Sequence, residues 1–467
     1  MKRTVVVSLV AVIALTACVS LALAVKCAKC GAEAPEGAKF CPQCGAVIEQ
    51  EPTQCAKCGA ELPKGAKFCP ECGAKVERAQ TAGAAASRQG AKQRYDGIFP
   101  VGLYTQVGKP PNKDATAEEV RAWQQEFLTT VKDLGFNTIA GDLQSDMIAL
   151  AGERGLYAIV GPGFHKALDV AGLTEGASRE AVAKLAALCD QHDNIVAGFL
   201  YADPVKPNWL QTWQVLGKVW NESHPDVPLL ATYGSAEQWK QFDSAAPIGA
   251  AQGWCYVFKT GVSTDEALQS PVCKHVHCGD ARQVMPGLPV WAWMPGILNG
   301  WNQREPTIAE MKALYYSAVA EGIRGCILFP FAPPRPDGTR FVADENCKPV
   351  ELLLDMKPML HNVARMGTEL LPYEVDDDAL VEVQGNAAVG VYADAQGAAR
   401  YLMVANKDVR AVQTVVVKFR SAPLAVAGLK DFLDGTTINV RMEGDVAVCE
   451  VDVEPAAGRL LSVVPRQ

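Results

Sequence analysis

The amino-acid sequence, 467 residues long, predicts a multidomain chain that joins small metal-bound modules to an α/β barrel and an all-β sandwich. Three observations predict this fold class. A cysteine motif occurs twice near the N-terminus, strand and helix patterns then alternate eight times, and strand patterns alone fill the C-terminal segment. Eight successive strand and helix units are typical of a closed (β/α)8 barrel, the TIM-type fold.

The composition and its changes along the chain predict the domain boundaries. With 49% hydrophobic and 21% charged residues and a net charge of −8, the chain has a globular composition and no overall attraction for polyanions. One polar stretch rich in Ala and Gly predicts a flexible linker. We predict a signal peptide or a membrane or lipid anchor at residues 1–24, metal-bound modules at 25–48 and 53–76, the linker at 77–94, the barrel at 95–368 and the β-sandwich at 369–467.

The first residues have the pattern of an export signal, because two cations precede an uncharged apolar run from Val5 to Val25. Three alternatives remain open for this segment. Small residues allow cleavage after Ala24, the stretch from Leu15 to Cys18 fits a lipobox that would lipidate Cys18, and an uncleaved run of this length could span a bilayer. All three predict an extracytoplasmic protein that is secreted, periplasmic or membrane-anchored.

Two copies of one cysteine motif predict two structural zinc ions. Residues 27–46 and 55–74 are identical at 17 of 20 positions, and each copy has the spacing C-x2-C-x10-C-x2-C. This spacing brings four thiolates to the corners of a tetrahedron, which leaves no open position for a catalytic water. Because exported thiols tend to oxidise, disulfides are the alternative. The predicted zinc ligands are Cys27, Cys30, Cys41, Cys44, Cys55, Cys58, Cys69 and Cys72.

The repeats resemble the tandem zinc ribbons of many bacterial chains, on the knuckle sequences CAKCG, CPQCG and CPECG. The resemblance implies modules that contact proteins, bind nucleic acid or cap the chain. From Val25 to Arg94 the chain has 11 Lys and Arg against 7 Asp and Glu, a surplus of +4. Each zinc ion with four thiolates contributes about −2, so two sites cancel the surplus and disfavour nucleic-acid binding. A protein partner of the zinc ribbons is therefore predicted.

The central segment is predicted as successive strand and helix units. Two of its helices begin with capping boxes, Thr116 to Glu119 and Thr307 to Glu310, in which a hydroxyl and a carboxylate satisfy backbone amides. The predicted helices are 117–134, 179–191, 210–223 and 308–321. The predicted strands are 97–104, 137–140, 157–160, 197–201, 229–233, 250–257, 290–293 and 326–331.

The C-terminal ends of the strands are where a (β/α)8 barrel places its functional residues. All nine tryptophans of the chain lie between Trp123 and Trp301, inside the barrel segment. An indole at a strand end or in a loop offers a flat, weakly polar face that suits a pyranose ring, and core packing is the alternative for each. The candidate carbohydrate-binding residues are Tyr104, His165, Tyr201, Tyr233, Trp254, Tyr256, Trp291, Trp293 and Trp301.

The barrel segment resembles glycoside-hydrolase-like barrel proteins of bacteria. The matching segments are FPVGLY (99–104), LGFNTI (134–139), DNIVAGFLYADP (193–204), LPVWAW (288–293) and the run 305–331. The resemblance implies a carbohydrate ligand, an acid/base carboxylate before a proline at the end of the fourth strand, and a nucleophilic carboxylate near the seventh. Asp203, which Pro204 follows, matches the fourth-strand position.

Glycosidic cleavage normally needs two carboxyl groups about 5–9.5 Å apart. The seventh strand departs from the pattern, because residues 291–295 contain no acid. Asp142 and Glu305 are the candidate catalytic partners of Asp203, with Asp337 as a further one. Each has a structural alternative, since Asp142 could cap a helix, Glu305 precedes a helix and Asp337 fits a turn.

Three functions remain open at this point. The first is an exported carbohydrate-active enzyme with Asp203 as acid/base. The second is a non-catalytic carbohydrate-binding or scaffold protein that lacks the seventh-strand nucleophile. The third is a membrane-tethered adaptor whose zinc ribbons provide the function.

The C-terminal segment is predicted as a small β-sandwich, because alternating apolar patterns follow one another between Gly, Asn and Asp turns. The resemblance to glycoside hydrolases extends here, since their barrels often carry such a sandwich. We predict a structural brace for the barrel. The predicted strands are 379–384, 389–394, 399–407, 414–419, 446–453 and 458–464.

Overall fold

The computed structural model divides the chain into two compact units, Met1–Ser87 and Arg88–Gln467. In the first unit Val25–Lys26 pairs antiparallel with Glu33–Ala34. No helix among the described residues combines the length and the apolar character that crossing a membrane requires. The structure describes residues 25–26, 33–34, 60, 93–108, 110, 112, 114–161, 175–200, 209–232, 239–240, 248–269, 285, 287–421 and 425–466.

The second unit begins with eight parallel strands that close into a barrel, in the order β8-β1-β2-β3-β4-β5-β6-β7 and back to β8. The predicted (β/α)8 fold is thereby confirmed, and each predicted strand overlaps an observed one. The barrel strands are β1 Val101–Thr105, β2 Thr138–Gly141, β3 Tyr157–Val160, β4 Ile195–Leu200, β5 Leu229–Thr232, β6 Ala250–Trp254, β7 Val290–Pro295 and β8 Gly325–Phe331.

Helices connect the barrel strands, and both predicted capping boxes are present. The hydroxyl of Thr116 accepts the Glu119 amide at 3.2 Å, and that of Thr307 accepts the Glu310 amide at the same distance. The helices are α1 Ala117–Asp133, α2 Ser145–Glu153, α3 Glu175–Gln191, α4 Trp209–Ser223, α5 Thr264–Gln269, α6 Ile308–Ala320, α7 Glu351–Asp355 and α8 Lys357–Leu370.

The barrel interior is filled with side chains, because alternate residues of each strand point inward. Small residues on β2, β4 and β6 leave room for large aromatic ones on β1, β7 and β8, so the interior is a packed core and not a pore. The buried members of this core are Tyr104, Ala140, Ile159, Val196, Ala197, Leu230, Ala250, Trp291, Trp293, Ile327 and Phe329.

The C-terminal region is all-β, as predicted, and forms one nine-stranded antiparallel sheet in the order β9-β11-β12-β17-β14-β15-β16-β13-β10. The sheet curls so that β11 and β12 share a core with β13 and β16. Three of its strands, β9, β14 and β15, were not among the predicted ones. The strands are β9 Glu374–Val375, β10 Leu380–Gln384, β11 Ala387–Ala393, β12 Ala399–Asn406, β13 Gln413–Arg420, β14 Val426–Asp431, β15 Thr437–Glu443, β16 Val446–Val453 and β17 Gly458–Pro465.

Helix α6 joins the barrel to the sheet, and ten of its thirteen residues are buried. The backbone of β11 approaches it so closely that a Cβ atom on Gly390 would lie 2.0 Å from the carbonyl oxygen of Ala320. Tyr392, also on β11, donates its hydroxyl to the carbonyl oxygen of Val319. The barrel and the sheet therefore share one continuous apolar core.

Candidate functional site

A cluster of aromatic rings closes the barrel beneath the C-terminal ends of its strands. Tyr104 on β1 lies 5.4 Å from Trp293 on β7 and 4.9 Å from Phe329 on β8, measured between ring centroids. Trp293 and Phe329 are 4.9 Å apart and nearly perpendicular, at 70°. Because all three side chains are at least nine-tenths buried, they form the floor of the mouth and not its surface.

Two tryptophans predicted to bind carbohydrate lie inside this core. Trp291 and Trp293 are 1% and 2% exposed. Trp291 is the second residue of β7, and its ring meets that of Tyr95 edge-on at 5.8 Å, towards the N-terminal end of the barrel. Neither indole face is open to a ligand in this structure, which corrects the prediction for both residues. They pack the barrel interior instead.

Four aromatic residues lie at the end of β6 and on the loops after β6, β7 and β8. We call them the aromatic ridge: Trp254, Tyr256, Phe341 and Trp301. The rings of Trp254 and Tyr256 are parallel within 6° and 6.5 Å apart, and both residues are partly buried. Tyr256 packs against the small cluster that includes Phe341. Phe341 meets the indole of Trp301 at 5.8 Å, and Trp301 is 48% exposed.

The two loops that carry the far end of the ridge are tied to each other. Residues Ile297–Asn299 after β7 pair antiparallel with Arg340–Phe341 after β8. Gly300 packs against the side chain of Thr339, where a Cβ atom would lie 2.7 Å from the hydroxyl oxygen. The position of Trp301 is therefore set by a short ladder and a close backbone contact.

The candidate carboxylates of the described residues lie in different surroundings. Asp142 directly follows β2, at the C-terminal end of the barrel, and is exposed. Glu305 is exposed and forms an ion pair with Arg340 at 3.5 Å. Asp337 accepts the Thr339 amide at 2.9 Å, and its hydrogen bonds to Thr339 lower the pKa of its carboxyl. Asp142 thus keeps the position that a catalytic group would need, whereas Asp337 stabilises a turn.

The ends of three neighbouring strands carry no acid. The chain leaves β6 through Trp254 and Tyr256, leaves β7 through Pro295, and leaves β8 through Phe331. All six residues of β7 are buried. No carboxylate therefore lies in β7, near which the resemblance implies a nucleophile, and the last residues of β6 and β8 carry none either.

The carboxylate of Glu310, which the sequence predicts only as part of a helix cap, is held by a network of hydrogen bonds. Glu310 is 1% exposed and accepts hydrogen bonds from Arg304, from the Thr264 hydroxyl at 2.6 Å and from the Thr307 amide at 2.8 Å. Burial alone raises its pKa, but these hydrogen bonds outweigh burial, so the pKa is lowered. Glu310 is a structural anion that is buried away from solvent.

Several predicted site residues lie outside the described residues. These are His165, Tyr201, Asp203 and Tyr233 of the barrel and the eight cysteines of the repeats. Among the described residues no group of three or more His, Cys, Asp or Glu could hold a metal ion. Two sets of four thiols at this spacing have the donor chemistry that structural zinc prefers, so the sequence of the repeats fits the metal.

Comparison with known proteins identifies the repeats and the architecture. The double zinc ribbon family model matches residues 27–73, which indicates zinc binding. No curated protein sequence matches the chain. Among solved structures, a protein described as a glycoside hydrolase has a TM-score of 0.54 at 15% identity, covering 79% of this chain and 93% of that one.

Two further solved structures have similar scores. A family 5 glycoside hydrolase from Bacteroides vulgatus has a TM-score of 0.55 at 14% identity, covering 79% of this chain and 92% of its own. An α-amylase from Geobacillus thermoleovorans, solved in complex with acarbose, has a TM-score of 0.53 at 12% identity, covering 81% and 100%. Together these likenesses show a glycoside-hydrolase-like fold of barrel and sheet.

Proposed function

We propose that the barrel binds carbohydrate at its C-terminal mouth, along the aromatic ridge. The observation that carries this proposal is the position of the ridge, with the parallel rings of Trp254 and Tyr256 at one end and the half-exposed indole of Trp301 at the other. Pyranose rings present apolar C–H faces that pack on such rings. The C-terminal face is also where (β/α)8 proteins place their ligands.

A binding function agrees with the carboxylates of the mouth better than a hydrolytic one. Both retaining and inverting hydrolysis use two carboxyl groups on opposite sides of the scissile bond. The described ends of β6, β7 and β8 supply none, and Glu310 is buried in its network with Arg304. A ligand stacked on the ridge would therefore meet no nucleophile from these three strands.

The test is binding of a panel of oligosaccharides from cellulose, xylan, mannan, starch and galactan to the full chain, measured by titration calorimetry. At least one should bind, and Trp254→Ala should weaken binding about ten-fold through loss of a stacked ring. Trp123→Ala is the matched control, since Trp123 stacks on Phe127 of helix α1 at 5.1 Å and is not part of the aromatic ridge. Equal weakening by both substitutions, or no binding at all, contradicts the proposal.

Hydrolysis is the second candidate function, favoured by two acids that follow barrel strands in the sequence. Asp203 comes three residues after β4 and is followed by Pro204, and Asp142 directly follows β2. In this scheme Asp203 protonates the leaving oxygen, while Asp142 attacks the ring carbon or activates a water. Product formation that disappears in both Asp203→Asn and Asp142→Asn, but persists in Asp146→Asn on α2, would establish the enzyme.

We further propose that residues 1–24 direct export and that the zinc ribbons bind a protein partner outside the cytoplasm. The apolar run after two cations supports export, and the near-neutral charge of the ribbons disfavours nucleic acid. Mass spectrometry of the mature N-terminus separates the alternatives. Val25 as first residue indicates cleavage, a lipid on Cys18 indicates a lipoprotein, and an intact Met1 on membranes indicates an anchor. An intact chain in the cytoplasm contradicts export.

A further inference from the structure

The exposed end of the ridge carries a cation beside its indole. The guanidinium carbon of Arg335 lies 5.0 Å from the ring centroid of Trp301 and 5.3 Å from that of Phe341. Arg335 is exposed, and no ion pair joins it to a carboxylate in the described part of the chain. An indole with a guanidinium over one of its faces is therefore exposed to solvent, and its other face is left for a ligand.

The turn that displays Trp301 is strained in a way that a structural turn would not need. Residues 300–303 form a tight turn in which the Gln303 amide donates to the Gly300 carbonyl at 2.9 Å. Its two central residues, Trp301 and Asn302, have φ values of 50° and 61°. Turns of this type favour Asn and Gly at both positions, and a bulky side chain there is unfavourable. Trp301 occupies a position where smaller residues are more stable.

The charges around this turn are mostly balanced, except at Arg335. Arg304 is neutralised by buried Glu310, and Arg340 pairs with Glu305 at 3.5 Å. Asp337 lies near enough for Arg335 to contribute to its lowered pKa, so the two charges attract each other, although no ion pair joins them among the described residues.

Two further polar groups adjoin the same turn. The exposed Lys259 forms an antiparallel bridge with Gln303, so a second cation adjoins the turn. Gln303 itself is 6% exposed, and its amide oxygen Oε1 has no hydrogen-bond partner within the described ranges. The surroundings of Trp301 thus combine a half-exposed indole with two exposed cations, Arg335 and Lys259, that no ion pair engages among the described residues.

We propose that Trp301 and Arg335 bind a uronic acid residue, so that the carbohydrate recognised at the mouth is an acidic glycan. This inference rests on the proposed carbohydrate-binding function and names its ligand class. The pyranose ring of the uronate stacks on the indole of Trp301. Its carboxylate receives two parallel hydrogen bonds from the Arg335 guanidinium, a geometry that lysine does not reproduce.

The distribution of positive charge around Trp301 favours a uronate over the other ligands that bind aromatic and basic surfaces. Single-stranded nucleic acid also stacks on aromatic residues, but it requires a groove with a continuous positive charge along the phosphates. Here the net charge of the chain is −8, and two of the four nearby cations are paired with glutamates. A uronate has a single carboxylate next to its pyranose ring, and this matches the single arginine next to the indole of Trp301.

The test compares acidic oligosaccharides with their own methyl esters, which keep the ring and linkage and lose only the charge. The probes are oligomers of galacturonate, glucuronate and mannuronate with their esters, titrated into the full chain. At least one acid should bind about ten-fold more tightly than its ester, the size of one charge-assisted contact. A sulfated oligomer of neutral sugars and a single-stranded oligonucleotide complete the set of probes. If either binds as tightly as the uronate oligomers or more tightly, the assignment is overturned.

Three substitutions connect the preference to the two residues. Arg335→Gln should remove the difference between acid and ester while leaving the affinity for the ester within about two-fold. Trp301→Ala should weaken both forms, and Trp301→Phe, which keeps a ring, should restore most of the loss. Arg340→Gln is the matched control, because Arg340 already pairs with Glu305.

The outcomes distinguish failure of this inference from failure of the proposed function. If neutral glycans bind and Trp254→Ala weakens them, but acids show no preference or Arg335→Gln leaves the preference intact, the uronate assignment is wrong and carbohydrate binding stands. If no glycan binds at all, the proposed function fails as well. Unchanged far-ultraviolet circular dichroism and unfolding midpoints in the variants show that each result concerns binding and not folding.

Discussion

Arg304 donates both terminal nitrogens of its guanidinium to the carboxylate of Glu310, Nη1 to Oε2 at 3.0 Å and Nη2 to Oε1 at 2.6 Å. Glu310 is also the third residue of α6 and the carboxylate of its capping box. One buried anion therefore fixes the start of α6 and holds the loop before it against the hydroxyl of Thr264 on α5.

Replacing Glu310 by Gln should destabilise the barrel by about 3 kcal/mol, because it leaves the partly buried Arg304 guanidinium without its counter-charge. The midpoint of urea unfolding measures the loss. Tryptophan fluorescence is the appropriate signal, since all nine tryptophans lie in the barrel segment. Glu119→Gln is the matched control, because Glu119 occupies the same capping-box position on α1 but is exposed. Similar losses in the two variants would contradict the role of the buried pair.

The same carboxylate predicts a pH dependence of stability. The hydrogen bonds of Glu310 hold its pKa below the ordinary value of 4.5, so its stabilising contribution is fully present above pH 4.5 and is lost as the pH falls through the lower, folded-state pKa. Urea midpoints measured from pH 7 to pH 3 should fall more steeply in the wild type than in Glu310→Gln below pH 4.5. Other carboxylates titrate in both proteins, so the difference between the two curves isolates Glu310. Parallel curves would exclude the effect.

Substitution of Gly390 by Ala should destabilise the contact between α6 and the sheet by about 3 kcal/mol, because the new methyl group would overlap the backbone carbonyl of Ala320. A backbone atom in a buried helix cannot move aside as a side chain would. Gly108→Ala is the control, since a Cβ atom there meets nothing within 4 Å. Hydrogen exchange of α6 and β11 amides should accelerate only in the first variant, and equal exchange in both would contradict the close contact.

Arg324 links the last helix of the barrel to the start of the sheet. Its side chain is 13% exposed and donates to the carbonyl oxygens of Leu370 at 2.9 Å and Tyr373 at 2.6 Å, and to Glu374. Arg324→Gln should cost about 2 kcal/mol, because buried carbonyl groups lose their donors. We expect faster proteolysis in the segment from Leu370 to Glu374.

Arg441 provides the comparison for Arg324. It is 73% exposed and forms its ion pair with Glu443 on the same strand, β15. Exposed pairs contribute little to stability, so Arg441→Gln should leave both the unfolding midpoint and the protease sensitivity unchanged. A matching loss of stability in both variants would mean that the location of Arg324 is unimportant.

Zinc analysis of the purified chain should give two ions, one per repeat. Cys27→Ser with Cys30→Ser should leave one ion, and the further pair Cys55→Ser with Cys58→Ser should leave none, because a tetrahedral site does not survive the loss of two thiolates. Cys189→Ala is the control, since burial raises the pKa of that thiol to about 12 and keeps it protonated. Elemental analysis checks the count. A chain without zinc and without titratable ribbon thiols would instead support disulfides.

The barrel was predictable because each of its units repeats a local signal. Buried parallel strands are short apolar runs, and the capping boxes at Thr116 and Thr307 mark helix starts through contacts three residues apart. Each of these signals depends only on residues that are close together in the sequence, so it can be recognised without the structure. The observed starts of α1 and α6 at Ala117 and Ile308 therefore coincide with the predicted ones.

Strand β15 could not be predicted in the same way. Its residues alternate between exposed and half-buried positions, so neither face is fully apolar and the sequence pattern is weak. It is held by antiparallel pairing with its neighbours in sequence, β14 and β16, and the pattern within β15 alone does not contain these contacts. The curled sheet that results follows from these pairings.

How deeply an aromatic side chain lies in the barrel could not be predicted from the sequence either. Trp291 and Trp293 are two residues apart on β7, so both point into the interior, and the pattern placed both at the mouth. Depth depends on how neighbouring strands are staggered, which sets Trp291 beside Tyr95 and Trp293 beneath Tyr104. The exposure of Trp301 depends likewise on the loop that carries Phe341.

The burial of α6 between barrel and sheet decides how the protein can be divided in the laboratory. A chain that ends at Leu370 would lack Tyr392 and the rest of β11, which cover the outer side of this helix. A large apolar surface of α6 would then be exposed to water. We expect such a fragment to precipitate. Transfer of the C-terminal end of the barrel to another protein will therefore require the whole segment from Tyr95 to Pro465.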